Sequence, residues 1–146
     1  ALDDLKKNEV YICSGSSHRY ALWGGLMSTR AMQCGAAGAV VHGFHRDSNE
    51  IERLGFPVAS FGSYAQDQGV RGKVVDWRIP IEVDGVRVRN GDVIFGDRDG
   101  VLVVPADIVE EAFSGAFEKA KGENKVLKAL QGGMSTVEAF EKFGIM

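Results

Sequence analysis

A charged pair, Arg46 and Asp47, follows an apolar run in the first half of the chain. The run Ala39–Phe44 (AVVHGF) is typical of a buried parallel strand, so the pair lies just beyond that strand's carboxyl end. Ligands of open α/β sheets bind at that edge. The Arg46 guanidinium offers a planar fork for a carboxylate, and the Asp47 carboxylate is the kind of oxygen ligand that Mg²⁺ or Mn²⁺ prefers. On spacing alone, a solvated Arg–Asp turn is the commoner outcome for such a pair.

A glycine pair is the second feature with chemical potential. Gly24 and Gly25 open a helix that is predicted over Leu26–Gln33. The N–H groups in the first turn of a helix lack acceptors within the helix and attract anions. A close contact between the helix and a strand explains two glycines equally well. The pattern therefore predicts an anion site and leaves a purely structural role open.

The histidines add further candidates. His45 directly precedes Arg46, and its neutral imidazole can act as a base or as a further metal ligand. A ring that faces away from Arg46 and Asp47 is an equal alternative. His42, inside the apolar run, is predicted to be a hydrogen-bonded core residue, whereas His18 lies on a loop beside the expected pocket rim. A polar loop contains Gln66, Asp67 and Arg71. These side chains are predicted to be solvated, and the alternative is that they line the pocket or an interface.

Alternating strands and helices must position these side chains. Strand, helix, strand, helix and strand at this spacing imply right-handed crossovers and a largely parallel sheet. Ser48 and Asn49 can cap the second helix. The predicted strands are Glu9–Cys13, Ala39–Phe44 and Val58–Phe61, and the predicted helices are Leu26–Gln33 and Glu50–Leu54.

Turn signals dominate the middle of the chain. Three Asx-Gly pairs, at residues 84–85, 90–91 and 99–100, are typical of tight turns between antiparallel strands. They predict an antiparallel meander, in which Pro80 indicates an edge or a bulge. The predicted strands are Val74–Val83, Val86–Val88, Asp92–Phe95 and Val101–Val104.

A helical tail is predicted over residues 106–146. Apolar residues at helical spacing follow Pro105, with Gly122 as a point of interruption. Ser135 and Glu138 have the spacing of a capping box and predict a last helix through Phe143. The apolar stripe is expected to be core, although a chain of this size can also use it to pack on another subunit.

Composition narrows the possible functions. With 146 residues, 45% hydrophobic and 25% charged, the chain is expected to form one soluble domain. No apolar run approaches the roughly 18 to 20 residues that cross a bilayer. A net charge of -3 with 17 dispersed basic residues predicts no nucleic-acid partner. Cys13 and Cys34 form no disulfide framework, which favours reduced thiols and a cytoplasmic location.

Several segments together resemble one known family. They are WGGLMSTRAMQCGAAGAVVHGFHRD, LGFPVASFG and GDVIFGDRDGVLVVP, in that order, and the tail ENKVLKALQGGMSTVEAFEKFGI is similar to the end of one branch. On these segments the chain resembles the RraA-like proteins. That family includes the regulator of ribonuclease E activity and the class II pyruvate aldolases that act on 4-hydroxy-4-methyl-2-oxoglutarate. The resemblance is strong from about Leu5 to Val104.

The resemblance implies a fold, an assembly and roles for particular residues. The implied fold is an α/β domain of the swivelling β/β/α type, assembled into homotrimers or homohexamers with active sites between subunits. By correspondence with the aldolases, Arg46 binds and polarises the pyruvyl end of a 2-oxo acid, and Asp47 holds Mg²⁺ or Mn²⁺. The helix start at Gly24 and Gly25 binds the pyruvate carboxylate, through the N–H groups of Leu26 and Met27.

The chain departs from the family pattern in two respects. The aldolases carry an Asp or Glu at the position of Gly25, where it helps to hold the waters of the metal. Its absence predicts weaker metal binding, for which His45 is the compensating candidate. The family also usually begins with a further region whose helices cover the sheet. The chain is thus expected to be a single domain over 1–146 whose N-terminal helical region was removed or is supplied by another chain.

Three functions follow from this pattern. The first is a metal-dependent carbon–carbon lyase that forms a pyruvate enolate by retro-aldol cleavage or by decarboxylation of an oxaloacetate-like acid. Arg46, Asp47 and His45 are its predicted catalytic residues. The second is a non-catalytic interaction protein, like the ribonuclease-regulating branch, which Gly25 favours. The third is an enzyme of the same fold with different chemistry.

Overall fold

Short parallel strands form the centre of the first unit, Ala1–Pro105, in the computed structural model, which describes residues 1–15 and 19–145. Three of them form one parallel sheet in the order β1-β3-β5, and β2 pairs with β4 in a second parallel pair. This confirms the predicted α/β class. The elements are β1 Val10–Cys13, β2 Ala21–Trp23, α1 Gly25–Gln33, β3 Gly38–Val41, β4 Phe44–His45, α2 Ser48–Leu54 and β5 Val58–Ala59.

The apolar run that was predicted to be one strand is divided between the two sheets. Gly43 donates its N–H to the Val41 carbonyl at 2.7 Å, and this tight turn separates β3 from β4. A Cβ on residue 43 would lie 2.8 Å from Leu22 Cδ1, so only glycine lets the chain pass this close to β2. The division matters because it places β4, and not β3, directly before Arg46 and Asp47.

The core packs around the junction of β2 and α1. Trp23 is buried and stacks on Phe56, with ring centroids 6.2 Å apart. Its indole N–H donates to the Ser28 hydroxyl at 2.7 Å, and that hydroxyl donates to the Gly24 carbonyl at 3.2 Å. Buried polar groups that are all paired rigidify their surroundings. These hydrogen bonds therefore fix the start of α1 relative to β2.

The antiparallel region of this unit consists of two hairpins. Asp84 and Gly85, at φ 47° and 80°, form the turn between β6 (Ile81–Val83) and β7 (Val86–Val88). Positive φ at both central residues is the two-residue hairpin geometry that Asp-Gly favours. The second hairpin joins β8 (Val93–Gly96) to β9 (Val101–Val104). The Asx-Gly prediction is confirmed at both hairpins. The predicted continuous meander is wrong at Asn90-Gly91, because β7 and β8 do not pair and the hairpins form separate two-stranded sheets.

The strand predicted from Val74 is wrong in its first part, because β6 begins only at Ile81. Arg78 has a left-handed backbone at φ 56°, which interrupts an extended strand. Its guanidinium binds the Glu9 carboxylate through two nitrogens at 2.8 Å and the Asp4 carboxylate at 2.5 Å. The segment 74–80 is therefore fixed to the N-terminal residues instead of pairing in a sheet.

The second unit, Ala106–Met146, is helical. Helix α3 (Val109–Gln131) continues through Gly122 without the expected interruption. Helix α4 (Thr136–Phe143) starts at a complete capping box, in which Ser135 and Glu138 each bond the other's backbone N–H. The capping-box prediction is thus confirmed. Within the described ranges, no helix is both long enough and apolar enough to cross a membrane.

Candidate active site

The parallel pair β2–β4 brings the two predicted clusters together. The Arg46 N–H donates to the Trp23 carbonyl at 2.9 Å, which continues the pairing beyond the end of β4. Both strands end on the same edge, so the glycine pair after β2 faces the Arg–Asp pair after β4. Sequence positions more than twenty residues apart become neighbours through this one register.

Asp47 caps a helix other than its own. It is the N-cap residue of α2, but its side chain makes no capping bond there. Its Oδ2 instead accepts the N–H of Gly25, the first residue of α1, at 3.0 Å. A left-handed backbone at φ 60°, which Asp tolerates better than most residues, accompanies this arrangement. The Asp47 carboxylate is thereby aimed at the positive end of α1 and remains partly exposed.

The Arg46 guanidinium lies between two carboxylates. Its Nε is 3.8 Å from Asp47 Oδ2, and its Nη1 is 3.5 Å from Asp67 Oδ2. Both distances exceed those of direct hydrogen bonds, and 42% of the side chain is exposed. The carboxylates therefore orient the guanidinium while its donors stay available to a ligand.

Asp67 was predicted to lie in a solvated polar loop, with pocket lining as the alternative, and its contact with Arg46 was not predicted. The Ala21 N–H donates to the Gln66 carbonyl at 2.7 Å, which docks this loop on β2. The Arg71 guanidinium donates to the Asp67 carbonyl at 3.3 Å and holds the turn. Only the docking on β2 brings Asp67 to Arg46, and no local motif signals that contact.

The two glycines allow both carboxylates to approach α1. A Cβ on Gly24 would lie 2.8 Å from Asp47 Oδ2 and 3.3 Å from Arg46 Cγ. A Cβ on Gly25 would overlap the Glu50 carboxylate and lie 2.6 Å from its Cδ. A side chain at either position would therefore displace a carboxylate of the candidate site.

The first turn of α1 presents backbone donors beside this cluster. Leu26 and Met27 are its second and third residues, so their N–H groups have no acceptor within the helix. The Leu26 side chain is 80% exposed, whereas Met27 packs against the core. The N–H groups of Leu26 and Met27 are therefore candidate donors to an anion.

His45 is engaged by two hydroxyls. Its Nδ1 lies 2.7 Å from Ser60 Oγ, and its Nε2 lies 2.9 Å from Ser48 Oγ. Partial burial lowers the pKa of the imidazole below its ordinary value of 6.5. With both ring nitrogens occupied, the ring ties the end of β4 to the start of α2 in this structure.

The other candidates lie outside this cluster. His42 bonds Asp84 Oδ1 at 2.9 Å through Nε2, and its side chain is largely buried, as the core prediction implied. His18 lies outside the described residues. A cavity of about 750 Å³ is bordered by the N-terminal segment and the loop 71–79. A smaller depression is lined by Asp47, Ser48, Asn49, Glu50 and Arg53.

Comparison with known proteins assigns the family. Residues 1–103 match the RraA-like family, described as Aldolase/RraA. The chain belongs to the RraA-like family. The 4-hydroxy-4-methyl-2-oxoglutarate aldolase of Thermus thermophilus is 34% identical over 97 residues, which are 66% of this chain and 58% of that protein. The chain spans between 23% and 61% of the length of the curated relatives that it matches.

Solved structures share the fold. An uncharacterized protein from Pseudomonas syringae pv. tomato superposes with a TM-score of 0.93 at 25% identity, covering 97% of this chain and 67% of that one. Streptomyces coelicolor RraAS2, an unusual member of the RNase ES inhibitor RraA protein family, superposes with a TM-score of 0.74 at 25% identity, covering 84% and 63%. RraA-like proteins thus include both named aldolases and named ribonuclease inhibitors.

The donor set of this RraA-like chain suits a hard divalent cation. The described residues contain no group of three or more His, Cys, Asp or Glu side chains arranged to hold a metal. The carboxylates of Asp47 and Glu50, however, both lie against Gly25 at the start of α1. Mg²⁺ typically uses one or two protein carboxylates and keeps several waters. Two partly exposed carboxylates without a thiolate or a free imidazole fit Mg²⁺ or Mn²⁺ better than Zn²⁺.

The burial of His45 gives a prediction for stability against pH. Because the folded-state pKa lies below 6.5, the unfolded chain binds more protons in this range. The contribution of His45 to the free energy of unfolding is fully present above pH 6.5, and it is lost as the pH falls through the folded-state pKa. We expect the free energy of unfolding in urea to decline from pH 7.5 to pH 5, and to decline less in a His45→Gln variant. Equal slopes in the two proteins would contradict this assignment.

Proposed function

We propose that this RraA-like chain contributes the active site of a metal-dependent lyase that releases pyruvate from a 2-oxo acid. One observation carries the proposal: Arg46 and Asp47 lie next to the start of α1. The Gly25 N–H donates a hydrogen bond to Asp47 Oδ2 at 3.0 Å and fixes this arrangement. A guanidinium, a carboxylate and free backbone N–H groups around one point suit an anionic substrate on which further negative charge develops.

The backbone donors bind the substrate in this proposal. The N–H groups of Leu26 and Met27 hold the pyruvyl carboxylate, since they point from a positive helix end and lack internal acceptors. The Arg46 guanidinium reaches the adjacent ketone oxygen from the other side. Asp67 and Asp47 keep that guanidinium in place, because each lies within 4 Å of it.

The reaction cleaves one carbon–carbon bond. In the retro-aldol direction the bond between C3 and C4 breaks, its electron pair forms the pyruvate enolate, and the C4 hydroxyl loses its proton to water. The enolate then takes up a proton from water at C3, which gives pyruvate. Decarboxylation of an oxaloacetate-like acid gives the same enolate with loss of CO₂. Arg46 stabilises the negative charge that develops on the enolate oxygen. Asp47 would hold a divalent cation, which would supply Lewis-acid stabilisation of the same charge when bound.

Metal dependence tests the proposal. We expect pyruvate release from oxaloacetate or from 4-hydroxy-4-methyl-2-oxoglutarate with Mg²⁺ or Mn²⁺, and none above the uncatalysed rate with excess EDTA. An Asp47→Asn variant should lose the metal response, since an amide oxygen is a much weaker ligand than a carboxylate. Pyruvate release that is untouched by EDTA and by this substitution would overturn the mechanism.

Assembly into homotrimers or homohexamers remains a prediction that sedimentation velocity can check.

A regulatory function is the second candidate, and Gly25 is the observation that favours it. Position 25 lacks the carboxylate that the aldolase pattern expects, and RraAS2, named as a member of an inhibitor family, shares the fold. An interaction protein would bind a protein partner in stoichiometric amounts and release no pyruvate. A pull-down from a native extract followed by titration of the purified partner distinguishes the two. Stoichiometric binding together with an inactive chain would favour regulation.

A further inference from the structure

Asp47 and Glu50 have the spacing of a capping box but do not form one. They occupy the N-cap and third positions of α2, from which each ordinarily bonds the backbone of its own helix start. The Asp47 side chain makes no such bond, and its carboxylate lies at Gly25 of α1. The Glu50 carboxylate also lies against Gly25. Both acidic groups of α2 have therefore turned to the first residue of α1.

Glu50 fills the space that a side chain at position 25 would occupy. A Cβ on Gly25 would lie 3.1 Å from Glu50 Cγ and 2.6 Å from Glu50 Cδ. A carboxylate is thus present where a residue of α1 would otherwise place its own, but it is carried by α2. Among the described residues, the Glu50 side chain forms no hydrogen bond and no ion pair, so its oxygens are available to a further group.

We propose that Glu50 replaces the missing carboxylate at position 25 and holds the waters of a divalent cation beside Asp47. This inference rests on the proposed lyase function for the presence of the cation. It explains how Gly25 is compatible with a metal site, because the same glycine that removes one carboxylate makes room for the other. Glu50 is a positioning residue here, since it acts on the cation through water.

Metal affinity, measured without turnover, tests this role. We expect Glu50→Gln to weaken Mn²⁺ binding by about 10- to 100-fold in calorimetry or in paramagnetic titration of free Mn²⁺, the usual effect of removing a group that orients metal ligands. Glu52→Gln is the matched control, because Glu52 lies on the same helix, is exposed and does not line the depression beside Asp47. This control should bind Mn²⁺ as the unmodified chain does.

A relocated carboxylate separates metal binding from a structural role. In the Glu50→Ala background, Gly25→Asp should restore most of the Mn²⁺ affinity, because the new carboxylate starts from the space that Glu50 vacates. Gly25→Asp alone should not tighten binding, since its Cβ would overlap Glu50. If Glu50 only stabilised the α1 end electrostatically, Glu50→Gln would lower the unfolding temperature without metal and leave Mn²⁺ affinity unchanged.

The outcomes distinguish this inference from the proposed function. Metal-dependent pyruvate release with unchanged Mn²⁺ affinity in Glu50→Gln overturns the role of Glu50 and leaves the lyase standing. Absence of Mn²⁺ binding in the unmodified chain overturns both. A loss of affinity in Glu50→Gln that Gly25→Asp recovers in the Glu50→Ala background supports the inference, whichever 2-oxo acid proves to be the substrate.

Discussion

An Arg46→Ala variant is expected to release pyruvate with a kcat/KM reduced by about 10²- to 10³-fold. That is the usual loss when one preorganised donor to a developing oxyanion is removed. The loss should be large because the guanidinium is already oriented by Asp47 and Asp67, so the unmodified protein spends little free energy on ordering it during the reaction. Steady-state kinetics with oxaloacetate and Mn²⁺ measure the effect.

Two further variants separate charge from geometry. Arg46→Lys retains the positive charge but loses the planar fork, so it should recover only part of the activity. Arg30→Ala is the control, because Arg30 is an exposed residue of α1 whose guanidinium pairs with Asp3 at 2.6 Å. The control should keep full activity. A comparable loss in Arg30→Ala, or full activity in Arg46→Ala, would contradict the role assigned to Arg46.

The site residues that could be predicted from the sequence are those whose position depends only on their neighbours along the chain. Arg46 and Asp47 are adjacent and follow an apolar run, and the rule for strand ends locates them without knowledge of the packing. Gly24 and Gly25 could likewise be placed at a helix start from the residues that directly follow them. The structure brings these two clusters together, because β2 and β4 pair in parallel and end at the same edge.

The site contacts of Glu50 and Asp67 could not be predicted, for opposite reasons, although pocket lining was an alternative for the loop of Asp67. Glu50 has a strong local signal, the capping-box spacing with Asp47, but the tertiary structure turns both carboxylates to α1. Asp67 has no local signal, and only the docking of its loop on β2 brings it to Arg46. Propensities describe what a segment does alone, whereas these contacts depend on a neighbouring element.

The strands show a similar division. Asp84-Gly85 specifies a hairpin through the positive φ that both residues adopt, so the turn was predictable from two letters. Strand β2 is only three residues long and ends one residue before α1, so no strand periodicity can develop in it. It nevertheless sets the register that joins the two halves of the site. Short strands of this kind are defined by their partner more than by their own sequence.

Gly24→Ala should disable the site while leaving the fold intact. Residue 24 has an extended backbone at φ -162°, which alanine adopts readily, so we expect the free energy of unfolding to change by less than about 1 kcal/mol. The new Cβ would lie 2.8 Å from Asp47 Oδ2, and the Asp47 carboxylate must therefore leave the Gly25 N–H. A misplacement of about 1 Å in a catalytic group costs about 10²-fold in rate, and kcat/KM should fall accordingly.

A second glycine provides the control that separates an effect on activity from an effect on stability. Gly115 lies within α3, and a Cβ there would meet nothing within 4 Å. Gly115→Ala should raise the free energy of unfolding by about 0.5 to 1 kcal/mol through helix propensity and leave kcat/KM unchanged. Gly24→Ala should show the reverse pattern. If Gly24→Ala retains full activity, the Asp47 carboxylate does not need its bond to α1, and the proposed geometry of the site is wrong at its centre.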